Sequence, residues 1–411
     1  MQFTVKREAG GLCRLHIEFS ADEVAEAFAE DADLWDPGEE ALAAEAMQEM
    51  LVRRGMAQAL ADAGLETICE PAVLGEKPVP CQGKPFVFEA DASVLPDIPL
   101  PGDFASLKMP AVDAAPTPYE LQEAYDMLTR RAVRLREVAQ SRCPRPGDVA
   151  DVEVEAEAEG FPLPELHRRK CQRWLGKAQP EGLWGPLEKA LFGLRPGESC
   201  ELSFPCPQEH ADPLLRGRPV RAHVKLVRLW DRLPKDENKL ARSLGLKDAK
   251  ALRGAAAMRA KGKASARSRE KAEEMLVDSL LEGLDFHVPQ GLIDHCCAQE
   301  MQDTMLWYAN FQASPGVAAR WDEGLALAER EAGPKAVQDA RRIMLLLALA
   351  RRLGLEVSAA ELDEVAAGLQ RPGEDAAGCR AMLEENGSLA ILRRGLLAGK
   401  ALEALCGMAG R

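Results

Sequence analysis

The sequence predicts a multidomain α+β chain: a small α+β N-terminal domain, a β-rich middle domain and an all-α C-terminal body. Three observations carry this. Side chains alternate apolar and polar, the signature of half-buried strands, only in stretches before Leu233. A Pro/Ala-rich junction, Pro110 to Pro118, separates two such groups of stretches. Beyond Leu233 only helical spacing remains, broken at Val288-Pro289, Ser314-Pro315-Gly316 and Gly333-Pro334. A length of 411 residues leaves room for two to four domains.

Cys13, Leu15, Ile17 and Phe19 share one face of the first clear strand, with Arg14, His16 and Glu18 on the other. Ser20 and Glu23 form a capping box for a helix, each side chain meeting an orphan backbone donor. Ala41 to Ala63 reads as a second helix with Met47, Met50, Leu51 and Leu60 on its apolar side, and Gly64 suits its left-handed terminus. Phe86 to Leu95 is another strand. Thr117, Pro118 and Glu120 then start a helix expected to reach about Gln140, with Arg130, Arg131, Arg134 and Arg136 on a solvated face. The turn Pro144 to Asp148 opens the β-rich region. Its strands are Val152 to Glu159, Glu201 to Phe204 and Val220 to Trp230, and its short helix is Pro186 to Phe192, ended by Gly193. Ser358 and Glu361 cap a late helix. Domains are therefore expected at 1–112, 146–232 and 233–411, with a connector helix in 113–145.

The bulk numbers exclude several classes. A net charge of −14 argues against a nucleic-acid coat, since phosphate contacts need a positive surface. The start lacks a secretory signal, and the longest apolar run, Ile343 to Ala350, is far short of the roughly 20 residues a membrane span needs. Neither a direct nucleic-acid partner nor a membrane is expected. The 11 cysteines contain no CxxC pair, which fits free thiols in a cytoplasmic protein. Asp294, His295, Cys296 and Cys297 read as structural, because adjacent cysteines do not suit one tetrahedral ion. No G-x-x-x-x-G-K-[ST] phosphate loop occurs, and no metal or other cofactor is expected. Residues 239–271 carry eleven Lys/Arg against Asp248 and Glu270; the first 50 residues carry thirteen Asp/Glu against three Lys/Arg. Such asymmetry marks either solvated faces or a partner surface.

Three stretches in order resemble the bacterial trigger factor family: MQFTVKREAGGLCRLHIEFSADEVAEAF at the start, LRPGESCELSFP with LLRGRPVRAHVKLVRL in the middle, and RLPKDENKLARSLGLKDAKALR with LEGLDFHVPQGLIDHCCAQEM later. The resemblance covers nearly the whole chain. It implies a trigger-factor-like, ribosome-docking N-terminal tail domain, an FKBP-like peptidyl-prolyl isomerase domain, and a helical chaperone domain whose body and two arms cradle unfolded or nascent polypeptides. It implies an ATP-independent holdase. An active prolyl isomerase and an assembly factor dedicated to one complex are the alternatives, and a homodimer stays open.

The sequence departs from the family at two places. The family's docking loop reads G-F-R-x-G-K-x-P, with cations suited to RNA. The corresponding position here is Trp35, Asp36, Pro37 and Gly38 among carboxylates, without Lys or Arg between residues 15 and 52. Docking on ribosomes in the family manner is not expected; the turn is otherwise a plain helix connection. The isomerase motif has Gly185-Pro186 in place of Pro-Gly, and Leu187 in place of an aromatic. Glu188 and Gly193 match. The resemblance makes Val154, Trp174, Leu183, Trp184, Leu187, Phe204 and His210 the pocket candidates. Moving the proline removes a backbone donor that the family leaves free, so isomerase activity is expected weak or absent. For polypeptide binding the candidates are Met301, Met305, Trp307, Tyr308, Phe311 and Trp321, a dense apolar group in a chain with 5% aromatics. Methionine suits promiscuous contact because its flexible thioether repacks. At helical spacing the same stripe could equally be core.

Overall fold

The computed structural model describes residues 1–30, 40–75, 78–102, 104, 107–130, 132–139, 141–167, 169–176, 182–234, 236–369, 376–385 and 388–409. The N-terminal sheet-and-helix region, the sheet-rich middle and the helical C-terminal part appear in the expected order. By internal contacts the chain divides into two compact units. One comprises Met1–Met109, Met275–Glu300 and Ala332–Arg411, the other Pro110–Glu274 and Met301–Glu331.

In the first unit, β1 (Gln2–Arg7), β2 (Leu12–Phe19), α1 (Ala21–Glu30), α2 (Glu40–Asp62), β3 (Ala72–Val73) and β4 (Phe86–Ser93) come first. The sheet order is β1-β2-β4-β3, antiparallel throughout, with Ile17 opposite Phe88 and Leu15 opposite Ala90. The alternation seen in β2 buries Cys13, Leu15, Ile17 and Phe19 against Val24 of α1 and Met47, Leu51 and Ala59 of α2. The Ser20–Glu23 capping box forms, with the Glu23 carboxylate accepting from the Ser20 amide at 2.9 Å. Gly55 of α2 lies against the Phe19 ring, where an added Cβ would come within 2.8 Å.

The second unit begins with α3 (Pro118–Thr129) and β5 (Arg134–Glu137). The Thr117–Glu120 capping box is present. The helix ends at Thr129, however, and Arg134–Glu137 is a strand rather than the last helical turn. The reason is tertiary. Long β10 runs past this segment and supplies ladder partners, Trp230 opposite Glu137 and Leu233 opposite Arg134, which outweigh the good helix propensity of Arg, Leu and Glu. There follow β6 (Val149–Ala158), β7 (Phe161–Pro162), β8 (Arg169–Trp174), α4 (Trp184–Leu191), β9 (Ser199–Pro205) and β10 (Pro219–Leu233). The sheet runs β5-β10-β6-β7, with β8 on β6 and β9 on β10. Val152, Val154, Val220, Val224 and Leu226 face Leu187 and Leu191 of α4 in one core.

All remaining elements are helical: α5 (Glu237–Ser243), α6 (Ala249–Leu281), α7 (Gln290–Glu300), α8 (Gln302–Phe311), α9 (Pro315–Ala318), α10 (Trp321–Leu353), α11 (Ala359–Gly368), α12 (Ala376–Glu385) and α13 (Ser388–Ala409). The basic part of α6 is matched by its neighbours. Ala124 of α3 meets Ala256 and Ala260. Along the same contact Lys263 bridges Glu123 and Arg267 bridges Glu120, each at 2.6 Å. Gly333-Pro334 does not break α10. Glycine ahead of the proline has no Cβ for the ring to strike, which removes part of the usual penalty. In the first unit Leu276 and Leu280 of α6, Leu345 and Leu349 of α10, and Ala401 and Leu405 of α13 form an aliphatic core. Arg342 clasps Asp278 beside it through two bonds of 2.7 and 2.6 Å. All eleven cysteines are free, and Cys296 and Cys297 are buried. No helix among the described residues is long and apolar enough to cross a membrane.

Candidate functional site

The six polypeptide-binding candidates lie on α8, at its N-cap Met301 and at the start of α10, within the second unit. The period of α8 sorts them. Thr304 and Tyr308, four residues apart, face inward and are buried. Met305 and Leu306 face out, 46% and 53% exposed. Met301, Trp307, Phe311 and Trp321 are half-buried around that boundary. The aromatic rings touch in a chain: Phe311 lies 5.3 Å from Trp307, Trp307 lies 5.2 Å from Tyr308, and Tyr308 lies 5.6 Å from Trp321.

Tyr308 is therefore not a surface side chain. It is fully buried because a polar group draws it inward. Its hydroxyl donates to Asp212 Oδ1 at 2.8 Å, and Arg320 Nε donates to Asp212 Oδ2 at 2.7 Å. Asp212 is itself sealed from solvent, and it also accepts from the Leu214 amide at 3.0 Å as the cap of a short 3-10 turn. A buried carboxylate is tolerated only when paired and hydrogen-bonded, and these three donors meet that need. Burial first, then the bond to Asp212, pushes the Tyr308 phenol above its ordinary range. Gly324 leaves the phenol its space, since a Cβ there would stand 1.7 Å from the hydroxyl oxygen. Gly316 similarly lets α9 rest on the Phe161 ring.

His210 borders the same network. Its Nδ1 lies 3.0 Å from the Asp212 amide nitrogen, and its Nε2 lies 2.6 Å from a Glu165 carboxylate oxygen. The edge of its ring meets Trp307, with centroids 5.5 Å apart. Nearby, burial and the Glu165 and Asp212 charges push the Cys206 thiol up to about 12.

The isomerase candidates are placed differently from an open pocket. Val154, Leu183, Leu187 and Phe204 are all buried in the β-rich core. Trp184 packs partly against that core, and the Arg173 guanidinium covers its ring at 4.3 Å. Arg232 covers Trp174 at 3.3 Å. His210 is engaged as described. Leu187 stands where an aromatic wall would be needed, and as a core aliphatic of α4 it packs against the sheet. Glu188 is buried too, and its carboxylate accepts from the Gly176 amide at 2.6 Å. An open groove does exist on the other face of this sheet, bordered by Glu155, Glu157, Glu201, His167, Arg221 and His223. Asp212, Arg320 and Glu165 are functional-looking residues that sequence reasoning missed. Asp212-Pro213 signals a turn, but nothing local ties it to Arg320, which is 108 residues away. Trp35, Asp36, Pro37 and Gly38 lie outside the described residues. Among the described residues no group of three His, Cys, Asp or Glu is arranged to hold a metal ion.

Residues 249–407 match the family described as bacterial trigger factor protein (TF) C-terminus. The trigger factor of Nitratidesulfovibrio vulgaris is 26% identical over 79% of this chain and 74% of its own length. The chain is similar to trigger factor. The trigger factor of Thermomicrobium roseum is 27% identical over 79% of this chain and 65% of its own, and that of Azospirillum brasilense 24% over 81% and 73%. A solved trigger factor chaperone, described for promiscuous substrate recognition in folding and assembly, covers 99% of both chains at 17% identity with a TM-score of 0.39, too loose to argue from. The matched C-terminal residues and these relatives make the chain similar to trigger factor over most of its length.

Proposed function

We propose that the chain holds unfolded or nascent polypeptides, without ATP, on apolar surface presented by its helices. The observation that carries this is the division of α8. Met305 and Leu306 stand in solvent on a helix whose opposite side is fastened through Tyr308 to Asp212, which Arg320, just before α10, also binds. Exposed apolar groups on a firmly mounted helix mark an interaction surface, and a methionine lets it accept varied partners. Met301, Trp307, Phe311 and Trp321 extend the patch. Binding of this kind needs no reactive group, and the sequence contains no Walker-type phosphate loop.

The test is suppression of aggregation of a chemically denatured client, in buffer without nucleotide. The double variant Met305→Ser/Leu306→Ser should hold clients several-fold less well, while its unfolding free energy stays within about 0.5 kcal/mol of the parent. Undiminished suppression by the variant removes α8 from the proposal. The carboxylate-rich sequence around Trp35 to Gly38 supports a second element of the same reading, that the protein works away from the ribosome. Co-sedimentation with ribosomes at low salt should then be weak. A firm association that disappears on replacing residues 34–40 would contradict it.

A further inference from the structure

Within the first unit, Ile68, Leu292, Ile343 and Ile391 wall a recess of about 330 Å³. They come from the loop after α2 and from α7, α10 and α13. Ile391, a branched aliphatic of α13, is 40% exposed. The same recess contains Arg394. Its Nη1 donates to the Thr67 carbonyl at 2.9 Å, and no carboxylate among the described residues comes within bridging distance of it. Glu70 also borders the recess but is exposed and forms no bridge to the guanidinium. Arg394 is half-buried, and burial lowers its pKa from the ordinary 12.5, while the nearby Cys69 and Glu70 pull the other way. A guanidinium has five donors, and here one is used by the protein.

Aliphatic walls and an under-partnered guanidinium in one hollow are complementary to a ligand with both characters. We infer that this recess takes an apolar side chain with a carboxylate beside it, from a bound polypeptide. The side chain enters between Ile68, Leu292, Ile343 and Ile391, and the carboxylate accepts from the free donors of Arg394. Such charge-assisted bonds are about twice as strong as neutral ones. The polypeptide as source rests on the chaperone reading above. One chemistry has two sources in a polypeptide: the terminal carboxylate after an apolar last residue, or an aspartate next to a leucine.

Four fluorescein-labelled octapeptides separate these, their binding to the full chain followed by anisotropy. One ends in leucine with a free carboxylate, and its partner ends in leucine amide. The third is amidated with an internal Leu-Asp, and the fourth carries Leu-Asn instead. At least one acid should bind about tenfold more tightly than its neutral partner, and the pair that differs names the source. Arg394→Gln should erase the difference, and Arg394→Lys should keep part of it. Equal affinities within both pairs, or a difference that survives Arg394→Gln, overturn the inference. Arg394 also holds Thr67, so Ile391→Ser provides an independent arm. It should weaken acid and neutral peptides alike by several-fold, and unchanged binding there also overturns the inference. Aggregation suppression is measured on the same preparations. Equal peptide affinities beside intact suppression remove the recess and leave the proposed function standing.

Discussion

Leu187 and Tyr308 are both binding-surface candidates in the sequence, Tyr308 with a core position as the equal alternative, and both are fully buried. They are buried for different reasons. Leu187 of α4 lies among Val154, Val224 and Leu226, held by hydrocarbon contact alone. Tyr308 of α8 is drawn in by a sealed aspartate that also binds an arginine. The first kind of burial fills the whole face and leaves no surface. The second fastens one side of a helix and leaves Met305 and Leu306 outside. An apolar stripe becomes interior or binding surface according to what lies opposite it.

The comparison can be broken most sharply at Asp212. Asp212→Ala leaves the Arg320 charge without its partner and should cost about 3–5 kcal/mol, read as a lower urea midpoint in the tryptophan fluorescence transition. A loss under 1 kcal/mol would show that α8 is held by something else. Leu187→Ala removes hydrocarbon alone and should cost about 2–5 kcal/mol. Activity on a proline-limited refolding substrate is expected to be weak in the parent and to stay weak in this variant, because the closed core is then enlarged without gaining an aromatic wall. Strong isomerase activity in the parent would contradict the closed reading. Tyr308→Phe keeps the ring packing and removes one bond to a charged acceptor, for about 1.5–3 kcal/mol.

The smallest effect sharpens the contrast from the solvent side. Glu361 caps α11 with Ser358 and bridges Lys400 of α13, and the Lys400 bond, then the Ser358 bonds, hold its carboxyl down at about 2 from an ordinary 4.5. A depressed carboxylate contributes stability above its unfolded value, and that contribution fades as pH falls from 4.5 towards 2. Solvent screening keeps it small. Thermal melts between pH 5 and pH 2.5 should show a shallower acid decline for Glu361→Gln than for the parent.

Much of the architecture was legible because it is local. The alternation of β2, the capping boxes at Ser20, Thr117 and Ser358, and the glycine after α2 each announce themselves within a few residues. β8 was not legible. RKCQRW has no alternation and becomes a strand because Val149 to Val154 lie beside it. β5 was hidden for the same reason. The site was half legible. The sequence singles out the aromatic group, but its division into fastened and free sides depends on Asp212, Arg320 and Gly324, which no spacing connects. The isomerase candidates were found by resemblance, and their closure follows from how Leu187 and the two arginine-covered tryptophans pack in three dimensions.

At residue 324 the backbone carries only hydrogen, and the Tyr308 oxygen stands where a methyl would go. The two groups cannot share that volume. A Gly324→Ala chain must therefore swing the phenol aside, taking a donor from Asp212 while altering no charge. One added carbon thus acts as a wedge that pries the helix loose, distinguishing the effect of parting the surfaces from the effect of losing the ion pair.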